Sequence, residues 1–118
     1  MTTKRLLIIG GTGFIGRNLV IKSIELSYSV TVLSLNKPTQ ELIFNKVCYI
    51  QCDIKNYYDL QQKLTENSFD YVINLGGYVN HSSFLDDGIN VIEAHFLGVL
   101  NVLKIIDWKI LKRFVQIG

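Results

Sequence analysis

Apolar positions along this chain follow two rhythms. Five short runs rich in β-branched and aromatic residues, at 5–9, 29–33, 46–51, 71–75 and 113–117, are bounded by polar or glycine turns and predict strands. Between them, apolar residues recur at helical spacing. Residues 14–26 carry Phe14, Ile15, Leu19, Val20, Ile24 and Leu26 roughly at helical spacing. Residues 56–66 place Tyr57, Leu60 and Leu64 at three- and four-residue intervals, with Asn56 as N-cap and Asp59 three residues on. The longest helix is predicted over 87–108; it is apolar on almost every side and should be well buried. Pro38 and its polar neighbours mark a loop after the second strand, and 40–44 fits one short helical turn. Strands alternating with helices predict an α/β fold, a doubly wound parallel sheet with helices on both faces. Right-handed crossovers favour the strand order 3-2-1-4-5. No repeat, low-complexity segment or internal linker interrupts the pattern.

The first strand runs directly into Gly10-Gly11-Thr12-Gly13-Phe14-Ile15-Gly16. The segment holds GxGxxG as Gly11, Gly13 and Gly16, and GxxGxxG as Gly10, Gly13 and Gly16. A glycine-rich turn between a strand and a helix is the setting in which this motif binds a dinucleotide. One glycine lets the chain turn sharply, one lets the backbone approach a pyrophosphate, and one lets helix and strand pack closely. Unpaired N–H groups and the dipole at the helix start then favour the phosphate charge. The plainer reading, a turn without a ligand, leaves these glycines unexplained in a chain with only 9. Residues 1–118 therefore read as a Rossmann-type NAD(P)-binding domain.

Composition narrows the function classes. About half of the 118 residues are hydrophobic and 19% are charged, which suits a packed α/β core rather than disorder. A net charge of +2 gives no argument for nucleic acid or a membrane surface. The longest apolar stretch, 89–106, is interrupted by Asn90, Glu93, His95, Asn101 and Lys104, so it does not read as a membrane span. Lys4-Arg5 ahead of the first apolar run does not make a signal peptide, because that run stops at a glycine pair. A cytoplasmic protein is expected. Cys48 and Cys52, if they share a strand, lie about 13 Å apart, beyond the roughly 7 Å reach of a disulfide. With no CxxC pair and no histidine cluster, no metal site is expected and both cysteines read as reduced and structural. The chain stops at Gly118 on a strand with no following loop, so it is expected to be a piece of a longer protein.

In these motifs the chain resembles the extended short-chain dehydrogenase/reductases, in the NAD-dependent epimerase/dehydratase group that acts on nucleotide sugars. The glycine turn with its Phe14-Ile15 is similar to the family's first turn. Cys52-Asp53-Ile54 resembles the segment after strand three whose Asp contacts the adenine. Asn74-Leu75-Gly76-Gly77 resembles the small-residue turn after strand four that lies along the cofactor. His95-Phe96-Leu97-Gly98-Val99-Leu100-Asn101-Val102-Leu103 is similar to the helix pattern Asn-x-x-Gly-Thr-x-Asn-Leu-Leu, and Phe114-Val115-Gln116-Ile117-Gly118 to the strand leading to a catalytic Ser. More narrowly, 76–81 followed by 91–96 resembles CDP-abequose or paratose synthase-type reductases. The resemblance implies hydride transfer between a nicotinamide cofactor and a sugar carbon, by an epimerase, dehydratase or reductase.

Two departures bear on that implication. The family's Tyr-x-x-x-Lys is absent: no tyrosine of the chain is followed four residues later by lysine. The 118 residues alone are thus expected to bind cofactor without turnover, with no catalytic residue of their own. His95 stands where the pattern has Asn, and is a candidate active-site organiser or a satisfied core histidine. Gly98, three residues on, would allow close approach of a neighbouring element.

Ser34 ends the second strand, where NAD-binding members carry an Asp for the ribose hydroxyls. Ser would not repel a 2′-phosphate, and Lys37 is placed to pair with one, so NADP is favoured over NAD. A solvated loop lysine is the plainer reading. Asp53 reads either as adenine acceptor, together with Ile54, or as a turn-forming Asp ahead of a helix. His81-Ser82-Ser83 reads as loop rather than hydrolytic machinery, because sequence neighbours seldom converge as nucleophile and base. A non-catalytic NAD(P) sensor stays open as an alternative function, as does a homo-oligomer formed through an uncovered sheet edge.

Overall fold

The structure, a computed structural model, describes residues 3–10, 14–35, 44, 46–66, 68–75 and 97–117. Its elements in chain order are β1 (Arg5–Ile9), α1 (Phe14–Glu25), β2 (Ser29–Ser34), β3 (Val47–Gln51), α2 (Tyr57–Lys63), β4 (Tyr71–Asn74), α3 (Gly98–Ile105) and β5 (Arg113–Gln116). The five strands form one parallel sheet in the order β3-β2-β1-β4-β5, as the alternating pattern predicts. β1 is central. Its Ile9 pairs with Leu33 on one side and with Asn74 on the other.

Alternation along the strands divides the core into two layers. Leu7, Ile9, Leu33 and Val72 pack with Leu60 and Leu64 around α2, and with Val102 and Ile106 around α3. Leu6, Ile8, Val30 and Val32 pack against Val20 of α1 on the opposite face. Each of these side chains is almost fully buried, which stabilises the fold by about 1.5–3 kcal/mol per residue. At the N-terminal ends of the strands, Asp70 ties the starts of β1, β4 and β5 together. Its carboxylate accepts from Arg5 N at 2.8 Å, its N–H donates to Arg5 O, and its carbonyl accepts from Lys112 N.

α1 ends in a left-handed cap at Ser27, with φ 66°. Tyr28 N donates to Ser23 O at 3.0 Å and Ser27 N to Ile24 O at 2.9 Å, so the last carbonyls of the helix are satisfied. α2 starts as the sequence predicts, Asn56 Oδ1 accepting from Asp59 N at 3.1 Å.

Three expectations are corrected. The long helix does not reach Trp108: α3 stops at Ile105, and Ile106 takes an extended backbone at ψ 140°. Ile106 thereby turns into the core, while the Trp108 indole Nε1 donates to Leu103 O at 2.9 Å and covers the helix end. Nor is α3 buried all round; Leu97 and Leu100 are exposed, and its buried residues are Gly98, Asn101 and Val102. Finally, Cys48 is exposed on the edge strand β3, so of the two free cysteines only Cys52 belongs to the core. The helical turn expected at 40–44 lies outside the described residues except for Phe44, which is half-buried.

Candidate functional site

In this strand order the direction of travel reverses between β1 and β4, with α1 packed on one face of the sheet and α3 on the other. In doubly wound folds such a reversal marks the crevice at the C-terminal strand ends where ligands bind. The residues singled out from the sequence fall around this edge wherever the structure describes them.

Gly10 closes β1. Its φ of 83° is one that L side chains rarely adopt, while its N–H still donates to Leu33 O at 2.7 Å. The chain thus leaves the sheet abruptly and α1 begins at Phe14. Gly16 is buried in the first turns of α1, as expected of the glycine that lets helix and sheet pack closely. The first turn of α1 carries no acidic side chain to neutralise the positive end of the helix dipole. Phe14 and Ile15 do not join the core as their helical spacing suggested: they are 83% and 63% exposed at the start of α1. Gly11, Thr12 and Gly13 lie outside the described residues.

Beside Gly10, Ser34 is buried at the end of β2. It pairs with Gln51 in the sheet, and its carbonyl accepts from Cys52 N at 2.8 Å. Lys37 lies outside the described residues. β4 ends on Asn74, which is fully buried; its Nδ2 donates to Gln116 Oε1 of β5 at 2.8 Å. Leu75 N then donates to Ile9 O at 2.8 Å, which holds the start of the following turn against β1. Gly76, Gly77, His81, Ser82, Ser83 and His95 also lie outside the described residues.

The turn from β3 to α2 carries Asp53 and Ile54. Asp53 Oδ1 accepts from Lys55 N at 3.0 Å, and Asp53 O accepts from Asn56 N at 3.0 Å. Of its two readings, the turn-forming one is therefore present in the structure. Behind the turn, the Cys52 thiol donates to Asp59 Oδ2 at 3.4 Å, and Lys63 sits 3.2 Å from the other oxygen of the same carboxylate. Burial, reinforced by Asp59, pushes the Cys52 thiol up to about 12, so it stays protonated and is no nucleophile near neutral pH. Asp59 is held below the usual carboxylate range chiefly by the hydrogen bond from Lys63.

Sequence reasoning gave Asn101 no role of its own. The structure buries it at 2% exposure in α3, with Nδ2 donating to Ile54 O at 2.8 Å and to Lys55 O at 3.1 Å. The available signal was one amide set in an apolar helix. Gly98 behaves as expected: a Cβ there would stand 2.6 Å from Ile54 Cδ1, so its lack of a side chain lets α3 approach the turn.

Away from the crevice, a cavity of about 500 Å³ opens at the N-terminal ends of β2 and β3, lined by residues including Arg5, Thr31, Cys48, Lys63, Glu66 and Phe69. It contains none of the candidate residues. Among the described residues, no three His, Cys, Asp or Glu side chains are grouped to hold a metal ion, and no helix is long and apolar enough to cross a membrane.

Residues 6–118 match the model of the NAD dependent epimerase/dehydratase family. The chain is 29% identical over 100 residues to a putative UDP-glucose 4-epimerase of Methanocaldococcus jannaschii, covering 84% of this chain and 32% of that protein. Among solved structures it is similar to the Bordetella bronchiseptica enzyme WbmF in complex with NAD+, with a TM-score of 0.80 and 26% identity over 98% of this chain and 36% of that one. It is also similar to Thermus thermophilus UDP-glucose 4-epimerase in complex with NAD, with a TM-score of 0.74 and 25% identity over 85% of this chain and 32% of that one. The chain thus spans about a third of the length of these relatives. They lend no support to the narrower resemblance to CDP-abequose or paratose synthases, whose residues at 76–81 and 91–96 lie outside the described ones.

Proposed function

The chain belongs to the NAD dependent epimerase/dehydratase family, and from that premise we propose that it forms the dinucleotide-binding part of an epimerase, dehydratase or reductase of nucleotide sugars. The observation that carries this reading is the exit from β1: a left-handed Gly10 in the crevice, leading into α1 through a glycine-rich turn. The residues present fit a dinucleotide. The start of α1 is free of acidic side chains, Gly16 is buried beneath it, and the strand ends beside it carry the small side chains of Gly10 and Ser34.

In this reading Gly11, Thr12 and Gly13 bring backbone N–H groups against the pyrophosphate, and Phe14 and Ile15 flank it at the helix start. Ser34 faces the adenosine ribose and leaves room for a 2′-phosphate, which Lys37 neutralises; this favours NADP over NAD. Asp53 and Ile54 form the adenine side, while Leu75, Gly76 and Gly77 follow the dinucleotide toward its nicotinamide. His95 helps order the polar groups near that end. When bound, the cofactor supplies the hydride chemistry at a sugar carbon, and the protein supplies binding and orientation. With no Tyr-x-x-x-Lys in the chain, residues 1–118 by themselves bind without turnover. Work on nucleotide sugars accords with a cytoplasmic protein, and association into homo-oligomers belongs to the same reading.

Calorimetric titration with NADP+ and NAD+ at equal salt tests this reading, since an exposed lysine–phosphate contact is screened by ions. NADP+ is expected to bind more tightly. Gly13→Val should abolish binding of both, and Ser34→Asp should reverse the preference. Unchanged binding by Gly13→Val would overturn the phosphate cradle, and a tighter NAD+ complex in the parent chain would overturn the NADP assignment.

A further inference from the structure

We propose that Asn101 is a positioning residue for the adenine end of the dinucleotide, holding the turn at residues 53–56 in the shape that presents Asp53 and Ile54 to the crevice. The inference rests on the dinucleotide site proposed above.

Within the turn, Asp53 accepts from Asn56 N through its carbonyl and from Lys55 N through one carboxylate oxygen, and the Asp59 carboxylate holds the Asp53 backbone at its start. The carbonyls of Ile54 and Lys55 point the other way, to α3. There a single side-chain nitrogen takes both, at 2.8 and 3.1 Å, one amide proton to each. Of the two ends of the amide, only the NH2 can donate to two acceptors at once. Asn101 is 2% exposed, so water does not substitute for it freely. One helical turn earlier, Gly98 brings the backbone of α3 against the Ile54 side chain. One turn on, Lys104 Nζ lies 5.8 Å from the Tyr57 ring centroid at the start of α2. α3 therefore grips the turn from its first residues to the head of α2. The grip falls on the segment directly after β3, at the ligand end of the sheet, whereas the opposite strand ends are tied by Asp70.

The test compares three variants. Asn101→Leu keeps the approximate shape and removes both donors. Val102→Ala is the control, because Val102 is fully buried in the same helix but packs on the sheet core. Affinity for AMP and NAD+ is measured by calorimetry, stability by urea unfolding, and amide exchange at residues 54–56 by NMR. Asn101→Leu is expected to weaken AMP and NAD+ by about tenfold and to speed exchange at 54–56. Val102→Ala should lose stability yet bind AMP within about twofold of the parent. Equal losses of affinity in both variants, or an Asn101→Leu that binds AMP like the parent, would overturn the proposal.

Asn101→Asp keeps the proposal testable should the leucine variant fail to fold. An ionised carboxylate opposes the two carbonyls, whereas a protonated one regains a donor. This variant should bind NAD+ more tightly at low pH than at neutral pH, relative to the parent; a pH-independent ratio counts against the clamp. A parent chain that binds none of AMP, NAD+ and NADP+ refutes the dinucleotide site itself. A parent that binds AMP and NAD+ while Asn101→Leu is silent refutes only the positioning role.

Discussion

Replacing Gly98 with alanine sets two effects of similar size against each other. In an open helix the exchange stabilises by up to about 1 kcal/mol, because glycine loses more backbone entropy on folding. In this helix the new Cβ would stand 2.6 Å from Ile54 Cδ1 and 2.8 Å from Ile54 Cγ1. Carbon atoms in good contact sit about 3.5–4.0 Å apart, so the Ile54 side chain must withdraw by about 1 Å. Cδ1 can swing away by itself. Cγ1 can move only by rotation at Cβ or by displacing the Ile54 backbone, and Asn101 holds that backbone by its carbonyl. Overpacking of this kind costs about 1–3 kcal/mol. Gly98→Ala is therefore expected to destabilise by about 1 kcal/mol, the clash outweighing the helix gain. In an Ile54→Ala background both clashing atoms are gone, and the same exchange should stabilise by up to about 1 kcal/mol. The coupling between the two sites is then about 2 kcal/mol. Urea unfolding of the four proteins measures it, through midpoints at a constant slope. A Gly98→Ala exchange that stabilises equally in both backgrounds would refute the argument.

Other outcomes follow from single side chains. Ser27→Gly should stabilise by about 0.5–1 kcal/mol, because glycine takes the left-handed cap without strain; a lower melting temperature would contradict this. A thiol reagent should modify the exposed Cys48 in the folded protein and reach the buried Cys52 only in urea, so two fast equivalents under native conditions would contradict the packing. Folding raises the pKa of the Cys52 thiol from 9.0 to about 12, so the folded state keeps a proton that the unfolded state loses. Stability should therefore fall as pH rises from about 9 toward 12, and Cys52→Ala should lose part of that slope, as paired urea titrations would show.

Much of the sheet is legible in the sequence, for a physical reason. β1, buried over most of its length, must be almost wholly apolar, the other strands keep β-branched or aromatic residues, and polar residues mark where each run ends. The five predicted runs match the five strands to within a residue at each end. The N-cap at Asn56 was equally local, needing only a side-chain oxygen three residues before the N–H that it accepts. Failures came where the deciding contact is distant. Ile105 and Ile106 continue an apolar helical pattern without glycine or proline; what stops α3 is the pull of Ile106 into the core and the Trp108 indole over Leu103 O. Asn101 shows only as a polar interruption, because the carbonyls it holds lie 46 and 47 residues away. Phe14 and Ile15 fit the helical period, yet the start of α1 leaves both exposed. Asp53 combined two signals of different reach. Its turn hydrogen bonds are written in the next three residues, whereas contact with an adenine depends on a ligand.

The proposed function puts a dinucleotide across the C-terminal strand ends, over Gly10. Titration of the 15N-labelled chain with NADP+, followed by amide shifts, tests it most directly. Saturable shifts are expected at Gly10, Leu35, Asp53, Ile54 and Leu75. Lys46, Cys48 and Glu66, which line the cavity at the opposite strand ends, should stay in place. Saturable shifts centred on those three residues, or no shifts at any NADP+ concentration, would contradict it.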